Sequence, residues 1–249
     1  MKPKINHKTI YRLVFVAVCL LIKWQPLSAQ QSIIDHSFDT WWTLNNKLEL
    51  NDKLYLSSEI HVRRANGWKD WQQFVVRPAL NYKHSDKLEF AVGYSYILTF
   101  PYGNQPISVQ TPEHNFWEQA TTKNQFGKLI VQNRYRLEHR FIGHATSTDN
   151  LNYYIDGTDF RQRFRYRFTA VYPINERLSL KGFNEIWWNL NHSLMPDTLN
   201  QNWLYGGLNY KVNSALSTDL GFMNQRIKKS DHIHYESNST LQLTIGYSF

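Results

Sequence analysis

The sequence predicts an all-β fold: an antiparallel up-and-down transmembrane barrel with short periplasmic turns and longer extracellular loops. Three observations point there. Apolar and polar residues alternate with a period of two in segment after segment, which only extended strands sort onto two faces. Tight turns and long connections also alternate along the chain, as in outer-membrane barrels. Tryptophans gather at the strand ends that adjoin the long connections.

The clearest segment runs from Asp159 to Leu190. Phe160, Gln162, Phe164, Tyr166, Phe168, Ala170 and Tyr172 form one face, and Arg161, Arg163, Arg165, Arg167, Thr169 and Val171 the other. After the Asn175-Glu176-Arg177 turn, Leu178, Leu180, Ile186, Trp188 and Leu190 oppose Ser179, Lys181, Glu185 and Asn189. A soluble sandwich would bury the rings and wet the arginines. A membrane barrel would do the reverse, because an arginine facing mid-bilayer costs about 2–4 kcal/mol.

At the N-terminus, Lys2, Lys4, Lys8 and Arg12 precede an apolar run from Leu13 to Ile22 and a small-residue site at Leu27-Ser28-Ala29. This is the layout of a cleaved signal peptide over residues 1–29, leaving one barrel domain over 30–249. The apolar run is short for a spanning helix, which needs about 20 residues. The leader takes five basic residues with it, Lys23 being the fifth, so the formal charge falls from +8 to +3. The basic balance is therefore poor evidence for a nucleic-acid partner. Cys19 leaves too, so the exported domain has neither disulfide nor cysteine-based metal site. Aromatic residues make up 15%, yet mean hydropathy is −0.54, as expected when polar residues alternate with rings.

Taken in order, Leu54, Leu56, Ile60 and Val62 oppose Tyr55, Ser57, Glu59, His61 and Arg63. Phe74, Val76, Pro78, Leu80 and Tyr82 alternate with Gln73, Arg77, Asn81 and Lys83. Leu88 to Leu98 alternates with Glu89 to Thr99. Between Leu129 and Phe141 the polar face is Gln132, Arg134, Arg136, Glu138 and Arg140. Later strands contain Leu204 to Val212 and Leu216 to Phe222, and the last runs from Leu241 to Phe249. Asn115–Phe126 alternates poorly. Counting gives eleven segments. An even number is usual in bacterial barrels, so an added short strand near Gln31–His36 would make about twelve, and loss of the weak hairpin ten.

Tight turns fall at 51–53, 85–87, 127–128, 175–177 and 213–215, and the longer connections lie at 65–70, 100–113, 143–158, 191–201 and 229–236. Trp41, Trp42, Trp68, Trp71, Trp117, Trp187, Trp188 and Trp203 adjoin the long-loop side, an aromatic girdle at the outer interface. By phase, Trp41, Trp71, Trp187 and Trp203 turn inward and could form a stacking platform for a sugar or lipid-like ligand, unless a bulge returns them to the girdle. Tyr247 and Phe249 close an amphipathic last strand, resembling the carboxy-terminal signal read by the barrel-insertion machinery.

With Trp41-Trp42, the Arg-x-Arg-x-Arg strands and Asn184-Glu185-Ile186-Trp187, the exported chain resembles a domain-of-unknown-function family of Gram-negative bacterial barrels. The resemblance implies an outer-membrane location and supplies no activity.

The inward charges are the candidate site: Glu59, Arg63, Arg77, Arg134, Arg136, Glu138, Arg140, Arg161, Arg163, Arg165, Arg167 and Glu185. They suit either a structural network of forked ion pairs or an anion-preferring passage or solute site. No cofactor and no metal are expected. His232 and His234, flanked by Asp231 and Glu236, lack a third fixed ligand. The sequence weighs against an enzyme: it has no phosphate loop, HExxH or GxSxG motif. A lipid-modifying barrel using His192-Ser193, or His144 near Ser147, is the enzymatic alternative, and a secreted soluble β protein binding an apolar ligand is the third reading. Expected partners are outer-membrane lipid, the insertion machinery and a small solute.

Overall fold

The structure, a computed structural model, describes residues 33–104, 106–190, 199–229 and 233–249. The expected leader, with Cys19, lies outside them. The strands are β1 (Ile33–Glu49), β2 (Leu54–Ala65), β3 (Asp70–Ser85), β4 (Leu88–Thr99), β5 (Thr111–Phe126) and β6 (Leu129–Thr146). They continue as β7 (Tyr154–Pro173), β8 (Leu178–Asn189), β9 (Leu199–Lys211), β10 (Leu216–Lys228) and β11 (His234–Ser248). Each pairs with its sequence neighbours, and β1 meets β11 to close the barrel.

The closure corrects the expected count. An odd ring of strands cannot alternate direction at every seam, so one pair must run parallel. That pair is β1 and β11, in register from Ile33↔His234 to Lys47↔Ser248. The separate strand expected near Gln31–His36 does not form among the described residues: Ile33–His36 are the first residues of β1. The barrel has eleven strands where twelve or ten were expected.

The weak segment is also a full strand. β5 pairs with β4 from Thr111↔Thr99 to Thr122↔Leu88 and with β6 from Glu113↔Ile142 to Phe126↔Leu129. Its pattern is faint because both faces carry polar groups. Glu113, Asn115 and Trp117 are buried inside, while His114 and Glu118 are exposed outside.

Three of the five tight turns share one device. Asn51 Oδ1 accepts the backbone N–H groups of Lys53 and Leu54, both at 2.9 Å. Asn175 does the same for Arg177 and Leu178, and Asn213 for Ala215 and Leu216. An asparagine at this point holds the chain in a turn by satisfying N–H groups that no strand can meet. At the β5–β6 hairpin, Gly127 takes a φ of +62°, a conformation that disfavours any side chain with a Cβ.

Two of the interior rings fit because the residues they face are small. Trp117 lies over Gly93, and its Nε1–H donates to Ser95 Oγ at 3.1 Å. Ala79 and Ala91 complete that packed cluster. Across the barrel, Phe183 stacks on Tyr205 at 4.8 Å, and Gly207 and Gly221 leave room for the tyrosine. A Cβ at Gly93 would collide with the Trp117 indole. Gly93→Val should therefore cost about 1–3 kcal/mol by overpacking, read as a lower urea midpoint. Adding Trp117→Ala should recover part of that loss.

Candidate functional site

The interior inherits its charges from strand register. On β6 and β7 the inward pairs are Arg134↔Arg167, Arg136↔Arg165, Glu138↔Arg163 and Arg140↔Arg161. Like charges directly opposite one another destabilise a sheet, so arginine-facing-arginine rows need carboxylates close by. Glu138 on β6 and Glu185 on β8 supply them from either side of β7.

Both carboxylates are buried, at 1% and 0% exposure. Glu138 accepts from Arg163 Nε at 2.6 Å and from Arg165 Nη1 at 2.8 Å. Glu185 accepts from Arg165 Nε at 2.9 Å, from Arg167 Nε at 3.0 Å and Nη2 at 2.5 Å, and from Arg134. Arg165 therefore joins the two carboxylates into one chain spanning three strands. Nearby, Arg140 grips Glu113 in a forked pair with both contacts at 2.7 Å. Glu59 receives Arg77 at 2.6 Å and lies 3.0 Å from His61, which in turn contacts Thr43.

Several interior guanidinium groups also cover rings. Arg165 lies 3.8 Å and Arg163 4.3 Å from the centroid of Trp187. Arg63 sits 3.8 Å over Trp41, and Arg136 3.9 Å over Trp117. Such contacts are worth about 2 kcal/mol or more where water is excluded. Trp41, Trp203 and Trp187 form a continuous aromatic row, with centroids 5.4 and 4.3 Å apart.

The expected residues divide accordingly. Glu59, Arg77, Arg134, Glu138, Arg140, Arg163, Arg165, Arg167 and Glu185 join ion pairs. Arg63 and Arg136 face the interior without a carboxylate partner among the described residues; they bond to Gln73 and Gln119. Arg161 is exposed at the end of its ladder, so it lies outside the network expected to contain it. Glu113 was missed because β5 read as irregular, although Glu113, Asn115 and Trp117 keep a two-residue spacing. Asp39 was missed as well; it is buried and accepts from Ser37 at 2.6 Å and Gln72 at 2.8 Å.

A girdle of all eight tryptophans is corrected. Trp41, Trp117, Trp187 and Trp203 are buried in the interior. Trp42, Trp68 and Trp71 are exposed outside with Arg64 among them, and Trp188 stacks on Phe164 at 5.8 Å. Trp71 had been phased inward. A register shift between Arg63 and Arg64 puts Gln73 opposite Arg63 and Trp71 opposite Arg64. Gln72 is the extra residue, and it turns Trp71 outward. Nor is the aromatic row an open platform, since arginines occupy its ring faces.

Between this row and the long-loop end lies a cavity of about 160 Å³. Trp41, Trp187 and Trp203 form its aromatic side, with Tyr102 from the β4–β5 connection. Its cationic lining is Arg63, Arg77, Arg140, Arg163, Arg165 and Lys229, against the carboxylates of Glu113 and Glu236.

Of the enzymatic candidates, His192 and Ser193 lie outside the described residues. His144 contacts Asp159 at 3.3 Å, whereas Ser147 donates to Asp149 at 3.0 Å, so these two do not form a nucleophile–base pair. Asp149 also accepts the backbone N–H groups of Asn152 and Leu151, which hold its carboxyl below the usual range. His232 lies outside the described residues, and no cluster of three metal-ligating side chains occurs among those described.

The fold and site define a closed antiparallel β-barrel, sealed by one parallel seam, with a largely apolar outside and a charged inside. The chain belongs to the family described as protein of unknown function, DUF2490, whose model matches residues 38–236. No curated protein matches it. Among solved structures, the NanC porin in a rhombohedral crystal form is similar at 10% identity, covering 80% of this chain and 93% of that one, with a TM-score of 0.44.

Removing one partner from a buried ion pair costs about 3–5 kcal/mol. Glu185→Ala leaves Arg134 and Arg167 without a carboxylate and Arg165 with Glu138 alone, and should lower the unfolding free energy by about that much, measured by urea denaturation. Arg161→Ala should shift it by less than about 0.5 kcal/mol.

Proposed function

We propose that this chain is a non-enzymatic outer-membrane barrel with an arginine-rich interior that admits or holds small anions. The observation that carries the reading is the sorting of side chains. Leu44, Val92, Phe116, Leu204, Leu220, Phe222 and Leu241 are exposed outside, while the guanidinium and carboxylate groups are enclosed. A protein dissolved in water gains nothing from this arrangement, since it leaves apolar surface wet and buries charge at a cost of several kcal/mol per ion. In a bilayer both choices are favourable.

The location in an outer membrane rests further on the expected leader and on Tyr247 and Phe249, whose rings meet at 4.7 Å at the end of β11. The excess of arginine over carboxylate supports anion preference. The Arg163–Glu138–Arg165–Glu185 chain supports a narrow or closed passage, because its side chains occupy the mid-barrel. A structural role for that chain and a solute site beside it are compatible.

Planar-bilayer recording tests this reading. The parent protein should show a small conductance that favours chloride over potassium. Arg163→Glu should reverse or abolish that preference, and replacing both Glu138 and Glu185 by glutamine should raise conductance by loosening the constriction. Cation preference in the parent, unchanged by Arg163→Glu, would contradict the reading.

A further inference from the structure

Two side chains lining the cavity carry buried donors that meet no protein acceptor: Arg63 through Nε and Trp187 through Nε1. Elsewhere in the barrel there are unpartnered donors on Arg134 and Arg136 and unpartnered acceptors on Asn45, Asn115, Asp219 and Asn238, but none of these residues lines the cavity. The unmet demand at the cavity wall is therefore one-sided: it calls for an acceptor.

Arg63 sharpens that demand. It is 8% exposed, and its only hydrogen bond among the described residues runs from Nη1 to Gln73 at 2.6 Å. The carboxylates at the cavity wall are engaged elsewhere, Glu113 by Arg140 and Glu236 by Lys229. A buried cation with no counter-charge is costly, and breaking either existing pair to serve it would only move the deficit. An incoming anion removes the deficit without disturbing either pair.

The walls limit what else the anion carries. A volume of 160 Å³ is close to the ~150 Å³ of an apolar cavity that accepts benzene, so one ring or a short branched chain fits beside the charge. Trp41 and Trp203 with Ile97 and Ile227 suit an apolar body. Two carboxylate oxygens match a guanidinium fork better than a single acceptor does.

We propose that this cavity binds a small monocarboxylate with a compact apolar body, with Arg63 as the charge partner and the Trp187 N–H as a second donor. The proposal rests on the barrel reading above but requires no conduction.

The test is calorimetry on the full barrel in non-ionic detergent, with benzoate as probe, benzamide as its neutral shape match and inorganic phosphate as an anion without a ring. Benzoate should bind at least roughly tenfold more tightly than benzamide or phosphate. Arg63→Gln should remove roughly that factor while preserving heat-modifiable gel migration. Trp187→Phe, which keeps a ring and deletes the N–H, should weaken benzoate by a smaller factor and leave benzamide unchanged. Equal binding of benzoate and benzamide, or benzoate affinity unmoved by Arg63→Gln, would overturn the site. Phosphate binding as tightly as benzoate would overturn the ligand class. If Arg63→Gln fails to fold, the three-probe comparison on the parent and the Trp187→Phe result decide. A heat-modifiable barrel that takes up no benzoate overturns this site alone and leaves the barrel reading standing.

Discussion

The interior depends on two carboxylates, Glu138 on β6 and Glu185 on β8, which flank β7 and hold its arginines from either side, Arg134 of β6 joining at Glu185. Without them the registers Arg134↔Arg167 and Arg136↔Arg165 would set like charges face to face on neighbouring strands. With them, Arg165 bridges both carboxylates and the charged rows become a connected chain. The same requirement fixes which way the strands face. A one-residue slip of β7 would turn Arg163, Arg165 and Arg167 outward and bring Phe164 and Tyr166 into the network.

Ring packing and charge pairing then act on the same side chains. Arg163 and Arg165 reach their carboxylates while lying over Trp187, so the indole helps hold the guanidinium planes that the carboxylates need. Arg63 and Arg136 are the exceptions: each has a ring, Trp41 or Trp117, but no carboxylate among the described residues, and of the two only Arg63 lines the cavity. That asymmetry distinguishes a cavity wall able to receive a ligand from a core already satisfied within itself.

Much of this was legible before any coordinates. Alternation located every strand that has one apolar face, and the Asn-x-x-Leu turns marked three of the hairpins. Arg163, Arg165, Arg167 and Glu185 were readable because four arginines in step share one face of their strand, a face that a bilayer would allow only to turn inward. What escaped notice did so for definite reasons. β5 carries His114 and Glu118 on its outer face, and Glu118 pairs there with His139, so period-two contrast is lost although the strand is real. The bulge at Gln72 inverts the phase of Trp71, and no local signal in a run of two glutamines announces it. The strand count failed because the usual even-number expectation was applied to a chain that closes through a parallel seam.

The central claim is that the guanidinium groups are enclosed while the apolar side chains of the outer face meet lipid. Tryptophan quenching by brominated lipids measures this most directly, on single-tryptophan variants reconstituted in bilayers. Trp42 and Trp188 should be quenched strongly, and Trp117 and Trp187, enclosed by arginines, should be almost untouched. Equal protection of all four from the lipid, or quenching of Trp187 as strong as that of Trp42, would contradict the account.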